Sequence, residues 1–191
     1  MKTIDNIINF GLYDWQVLDT QGNNALILSK KIIECRAYNE DLADVTWEIC
    51  DIRQYLNSEF YNHFAEEEKA LIREALIKNA ANPWHGTSGG NDTVDRVFLL
   101  SVEEAVGYFG DSGLLRNGNS KNEFWLNDQY NSPRIAYGVG GRASWWWLRS
   151  PGGDQSRVAC IGRDGGIFIG GLGVDDIGGG VRPALWVSLN K

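Results

Sequence analysis

The 191-residue chain has only three cysteines, four prolines, two histidines and one methionine. Cys35, Cys50 and Cys160 are too widely spaced for any zinc-binding pattern, and three thiols cannot all pair internally. Buried free thiols are expected, with one disulfide plus a free thiol as the alternative. No run of about 18 apolar residues exists, which excludes a helical membrane span. Met1 to Asn6 shows neither the basic segment nor the apolar segment of a secretory signal. The expected setting is therefore cytoplasmic. Lys and Arg number 18 against 25 Asp and Glu, a net charge of −7. The basic residues are scattered, so nucleic acid is not an expected partner. The glycine-rich stretches carry no phosphate-loop Lys-Ser/Thr and no strand–GxGxxG–helix order. His63 falls on a predicted helix. His85, Ser88 and Asp92 lie in one loop, but without the strained turn of an activated nucleophile. Asp175 and Asp176 point to opposite faces of an extended segment, which does not suit a two-carboxylate acid/base site. No catalytic residue, metal or cofactor is assigned.

What the chain has instead is aromatic bulk and glycine. Trp145-Trp146-Trp147 begins one apolar segment and Val181-Arg182-Pro183-Ala184-Leu185-Trp186-Val187 forms another. Between Gly138 and Gly180 lie 14 of the 23 glycines. Trp15–Leu18 and Ala25–Ile33 read as a hairpin around Gln21-Gly22-Asn23-Asn24. Ile49, Ile52, Leu56 and Phe60 recur at helical spacing after a Thr46 cap. A second helix is expected over Glu66–Ile77. Val97–Leu100 reads as a buried strand, and Ser101 with Glu104 as a capping box opening a short helix. Trp145–Leu148, Arg157–Ile161, Ile167–Ile169 and Val181–Leu189 read as strands, with an irregularity at Pro183. Trp145 and Trp147 share one strand face and Trp146 takes the other. One of those faces packs in the core, and the other is a candidate stacking platform. Arg149 and Arg182 are expected to make structural hydrogen bonds or ion pairs. The pattern predicts one α+β domain over 1–191, with two or three helices and a loop-rich antiparallel sheet at the C-terminal end.

The order of these pieces resembles the C-type lectin fold of the formylglycine-generating-enzyme type, in which the terminal strands pair. More closely, the chain resembles a bacterial and phage family of unknown function with that fold. The segments that carry the resemblance are Phe10-Gly11-Leu12-Tyr13-Asp14-Trp15, Ala25-Leu26-Ile27-Leu28-Ser29, Trp47 and Ile52-Arg53-Gln54-Tyr55-Leu56-Asn57. Val97-Phe98-Leu99-Leu100-Ser101, Trp147-Leu148-Arg149-Ser150-Pro151-Gly152 and Gly180-Val181-Arg182-Pro183-Ala184-Leu185 complete it. The resemblance extends to the variable proteins of diversity-generating retroelements. The copper chemistry of formylglycine generation needs two neighbouring cysteines, and Cys160 has none nearby. Trp125-Leu126-Asn127-Asp128 is similar to the calcium-binding element of lectins but has one residue too many. Asn127, Asp128, Asp175 and Asp176 are the oxygen donors such a site would use.

Between Gly152 and Gly180 there is no Lys, Glu, Met or Trp. Adenine-directed diversification cannot create these residues or Gln, and only Gln155 belongs to that group here. Gln155 then reads as a fixed position. Val158, Ile161, Asp164-Gly165, Ile167 and Val174 read as scaffold. Asp154, Ser156, Arg157, Cys160, Arg163, Phe168, Leu172, Asp175, Asp176 and Ile177 read as an exposed, interchangeable binding face within a variable region spanning 145–182, carried on a scaffold of 1–144. The resemblance implies a non-enzymatic protein that recognises a protein or glycan ligand on another surface. An ordinary lectin-like assembly module of a phage or surface complex is the alternative, and a small-molecule enzyme a lesser one.

Overall fold

The computed structural model describes residues 7–117, 124–138 and 140–189. The chain opens with β1 (Ile7–Phe10), β2 (Tyr13–Gln21) and β3 (Asn24–Ser29). Gly22 turns β2 into β3 at φ +57°, a left-handed conformation that glycine takes without steric cost. β4 (Glu34–Cys35) follows.

The helical region departs from the sequence expectation at both ends. Thr46 does not cap the helix; its carbonyl accepts from the Ile49 and Cys50 N–H groups in a turn. α1 (Asp51–Tyr55) begins after Cys50 and continues through a π-helical turn at Leu56–Phe60 and a 3-10 turn at Tyr61–His63. Ile52, Leu56 and Phe60 are buried as their spacing predicts, whereas Ile49 is exposed. The second helix is cut to α2 (Glu66–Lys69). The chain then becomes extended as β5 (Ile72–Arg73) and β6 (Ala75–Ile77). Over so few residues sheet pairing outweighs helix propensity.

β7 (Thr93–Asp95) pairs with β6. Val97–Leu100 is buried but makes a single bridge, Phe98 to Ala184, rather than a regular strand. α3 (Val102–Phe109) starts in the expected capping box: Ser101 Oγ accepts from Glu104 N at 3.1 Å and Glu104 Oε2 accepts from Ser101 N at 2.9 Å. Then come α4 (Leu114–Asn117), β8 (Trp125–Leu126), α5 (Asn131–Arg134), β9 (Ala136–Tyr137) and β10 (Ala143–Ser144). β11 (Trp146–Pro151), β12 (Arg157–Ile161), β13 (Ile167–Gly173), β14 (Gly180–Val181) and β15 (Ala184–Ser188) close the chain.

The architecture is α+β and mostly β. One sheet has the order β1-β2-β3-β15-β5 and a second β4-β14-β11-β12-β13-β8, with β9–β10 and β6–β7 as two-stranded ribbons. β15 pairs with β3 from Ala184–Leu28 to Ser188–Asn24, while β1 stands at the edge of the same sheet, so the first and last described strands share a sheet without pairing with each other. One hydrophobic cluster spans both large sheets, with Trp15, Trp47, Trp146 and Trp147 among its fully buried members.

The two sheets meet at a corner. β3 and β4 change sheet beside β15 and β14, bridged by Ile33 N to Val181 O at 3.0 Å and Ser29 N to Pro183 O at 2.9 Å. Arg182 sits in that corner, fully desolvated. Its Nε donates to Ser29 O at 2.8 Å, and its guanidinium lies 4.9 Å from the Trp146 ring and 5.6 Å from the Phe109 ring. Burial pulls its pKa down to about 9, so it stays charged at neutral pH, its charge facing aromatic rings. Arg149 donates to both carboxylate oxygens of Glu104 and to the carbonyls of Leu99 and Lys78. Both arginines are structural, as expected.

Candidate functional site

The C-terminal sheet has two faces that its register defines. Trp146, Ile161, Ile167 and Leu126 lie in one cross-strand row, and each is at most 1% exposed. This row is core. Trp147, Cys160, Phe168 and Trp125 form the opposite row. Along it exposure rises from nothing at Trp147 to 44% at Trp125.

The buried end of that outer row is covered by the protein itself. The Trp145 ring stands edge-on to Trp147 at 4.7 Å, and Tyr38 lies 5.9 Å away. Trp147 Nε1 donates to Arg36 O at 2.9 Å. The segment from Val174 to Gly179 is pinned at both ends. Val174 N donates to Ser156 O at 3.0 Å, Asn39 N to Val174 O at 2.9 Å, and Arg36 N to Gly179 O at 2.8 Å. Trp145 and Trp147 do share a face, but that face is closed and is not a stacking platform. Cys160 is buried beside Trp147 in this row, and burial, with Asp176 nearby, pushes its thiol up to about 12. Its assignment to the exposed binding face is therefore corrected.

The other assigned positions divide by exposure. Asp154, Arg157, Arg163, Asp175, Asp176 and Ile177 are exposed, and Ser156, Phe168 and Leu172 half-buried. Asp154 organises its own turn, accepting from Ser156 Oγ at 2.8 Å and pairing with Arg157 at 3.3 Å. The scaffold set behaves as expected at Val158, Ile161, Ile167 and Val174, all buried. Asp164 is exposed yet holds the β12–β13 turn through Gly166 N at 3.1 Å. Gln155 is a tie: its Nε2 donates to Val45 O at 2.9 Å and Ser88 O at 3.1 Å.

The open end of the face is aromatic; sequence reasoning assigned Phe168 to it but missed Trp125, Phe124 and His85. Phe168 lies opposite Trp125, their rings 4.5 Å apart and 9° from parallel. Phe124 is half-exposed and stacks on the exposed His85 ring at 5.8 Å. The two pairs adjoin over Gly170, where a Cβ would stand 2.7 Å from Phe124 and 3.2 Å from Phe168. Another glycine, Gly162, lies under Trp125, where a Cβ would meet the ring at 3.1 Å. These glycines are a floor for rings rather than a source of slack.

Asn82, also missed, sets the position of His85. It is 2% exposed. Its amide donates to Pro151 O at 2.7 Å and Ile169 O at 2.9 Å, and its Oδ1 accepts from the Trp84 and His85 N–H groups. That uses the full capacity of the side chain. No periodicity signals such a residue, because its partners lie about 70 to 90 positions away.

The residues weighed for other chemistry are engaged separately. Ser88 Oγ accepts from Gly90 N at 3.2 Å, while Asp92 pairs with Lys78 and accepts from Asn79 N. Neither makes a hydrogen bond to His85 among the described residues. Asp128 is buried in a two-point pair with Arg134, at 2.9 and 3.2 Å, and accepts from Ser112 Oγ at 2.7 Å. Burial pushes its carboxyl up, but hydrogen bonds from Arg134, Ser112 and the Tyr130 N–H together hold it below the ordinary carboxylate range. Its oxygens are taken by protein donors, and Asn127 Oδ1 accepts from Asn131 at 3.1 Å. Among the described residues no group of three or more His, Cys, Asp or Glu side chains gathers to hold a metal. No helix among them is long and apolar enough to cross a membrane.

No curated protein and no solved structure matches the chain. The family described as Domain of unknown function (DUF6273) matches residues 22–189, from the β2–β3 turn to one residue past β15. The chain belongs to that family.

Proposed function

We propose that this protein is a non-enzymatic recognition module on a C-type lectin-like fold, binding a protein or glycan ligand through the open face of β12, β13 and β8. The carrying observation is the aromatic row made by the exposed His85, Phe124 and Trp125 with the half-buried Phe168, contributed by three separate chain segments. Contiguous exposed rings are uncommon on a soluble surface without a partner. Asp154, Arg157, Arg163, Asp175 and Asp176 supply polar groups around it, with the exposed apolar Ile177 among them. A fixed backbone lowers the ordering cost of binding. The test is a glycan array and a displayed-peptide library, each probed with the wild type and with a Trp125→Ala, Phe168→Ala double variant. Ligands captured by the wild type and lost by the variant support the reading. Capture that survives the double substitution contradicts it.

We read the exposed rim as interchangeable in the manner of retroelement variable proteins. The fit of Gln155 to a structural tie supports this, since Gln is a residue such diversification cannot produce. A near-copy of the 3′ end of the gene, differing only at adenines and lying beside a reverse transcriptase, is the expected finding. Its absence reduces the protein to a recognition module with a fixed surface.

One observation favours the assembly reading. A cleft of about 450 Å³ is lined by Pro83, Glu103, Val106, Gly107, Leu115 and Arg116, among others, beside the half-buried Trp84, whose Nε1 donates to Leu115 O at 3.0 Å. Loss of particle or complex assembly on an Arg116→Glu substitution, at an exposed residue of the cleft and with the aromatic row intact, would favour it over ligand recognition.

A further inference from the structure

Away from the recognition face, the β6–β7 ribbon has an inner and an outer side. Ile77, Thr93 and Asp95 point inward and are buried. The Asp95 carboxylate accepts from Trp47 Nε1 at 2.8 Å, Arg53 Nε at 2.7 Å and Thr93 Oγ1 at 2.7 Å, which fixes the ribbon to the core. The outer side carries Glu74, Leu76 and Lys78 on one strand and Arg96, Val94 and Asp92 on the other. Leu76 lies directly opposite Val94, and the two are 61% and 58% exposed. Glu74 pairs with Arg96 at 2.5 Å on one side of them, and Lys78 pairs with Asp92 on the other. The outer side is thus a grid: an ion pair, an apolar pair, an ion pair. The acid is on the β6 strand at one end and on the β7 strand at the other.

We infer that this ribbon is a self-association surface whose occupant is a second copy of the same chain. The argument is its charge pattern. A two-fold axis lying in the face along the strands sets Glu74 on Arg96 of the second copy and Lys78 on Asp92. An axis across the strands sets Glu74 on Lys78 and Arg96 on Asp92. Every acid meets a base under either operation, and the apolar pair meets an apolar pair. Such self-complementarity is the requirement of a two-fold interface. Asp95 holds the grid rigid beforehand, so little side-chain and backbone order is lost on pairing. The grid is small beside the roughly 1,200–2,000 Å² of a standard interface, so the dimer is weak.

Sedimentation velocity on the whole chain, from about 10 μM to about 1 mM, is the test. A concentration-dependent shift from monomer to dimer is expected. Leu76→Gln should weaken dimerisation at least about tenfold. Lys78→Glu should do the same, since it sets acid on acid under both axes. Lys30→Glu, which changes net charge equally but lies off the ribbon, should leave the dimer unchanged. Thermal midpoints of all variants check that each is folded. A monomer throughout the range overturns the inference, as does a dimer that Leu76→Gln leaves intact.

Discussion

Trp125 and Phe168 face each other across β8 and β13 with rings 4.5 Å apart, at the end of the outer row that no other described segment closes over. Two positions further along the same row, Trp147 is closed over by Trp145 and the Val174–Gly179 segment. The same side of one sheet is thus core at one end and open at the other.

The rim should tolerate change. Arg163→Ser, Asp175→Asn and Ile177→Thr remove side chains that are exposed and make no interaction the fold depends on. Each is expected to shift stability by less than about 0.5 kcal/mol. Asn82→Ala strands the Pro151 and Ile169 carbonyls in the interior and should cost about 2 kcal/mol or more. Urea denaturation of the four variants checks the contrast. A rim substitution as damaging as Asn82→Ala would show that the face is not interchangeable.

Two glycines should behave oppositely. A Cβ at Gly179 would stand 1.8 Å from Trp147 Nε1, whereas among the described residues nothing beyond the chain neighbours lies within 4 Å of one at Gly140. Gly179→Ala should destabilise by about 3 kcal/mol or more through overpacking. Gly140→Ala should be close to neutral. Thermal melts of the two variants decide it.

Thiol chemistry should see one residue. Cys35 is exposed, while Cys50 and Cys160 are buried free thiols, each pushed by burial up to about 12. A thiol-reactive dye should label one cysteine in the native protein and three after denaturation. The unfolded chain releases these two protons near 9. Stability should therefore fall as pH climbs from about 9 toward 12.

Asp128 gives the opposite slope. Its folded pKa lies below the ordinary 3.8, so its contribution is present above that value and is lost as pH falls through the folded pKa. Asp128→Asn should remove that part of the acid dependence. It should also cost about 3 kcal/mol at neutral pH by leaving Arg134 buried without a counter-charge. Acid titration of stability for both proteins measures each effect.

The sequence by itself determined the elements whose signal is local. The Ser101–Glu104 box opens α3 because its two hydrogen bonds join residues three apart. The Gly22 turn and the Ile167–Ile169 part of β13 follow from backbone freedom and from alternation, whereas the extension of β13 through Gly170 to Gly173 does not. The division of Trp145 and Trp147 from Trp146 follows from the period of a strand. Tertiary structure decided what long-range pairing controls. It ended the helix at Lys69, because the chain from Ile72 pairs with β15. It buried Cys160, because Cys160 lies opposite Trp147 at the end of the row that Trp145 and the Val174–Gly179 segment close. It made the open aromatic row from His85, Phe124, Trp125 and Phe168, which no local pattern joins. Exposure belongs to the whole packed surface, and a residue's neighbours in sequence do not fix it.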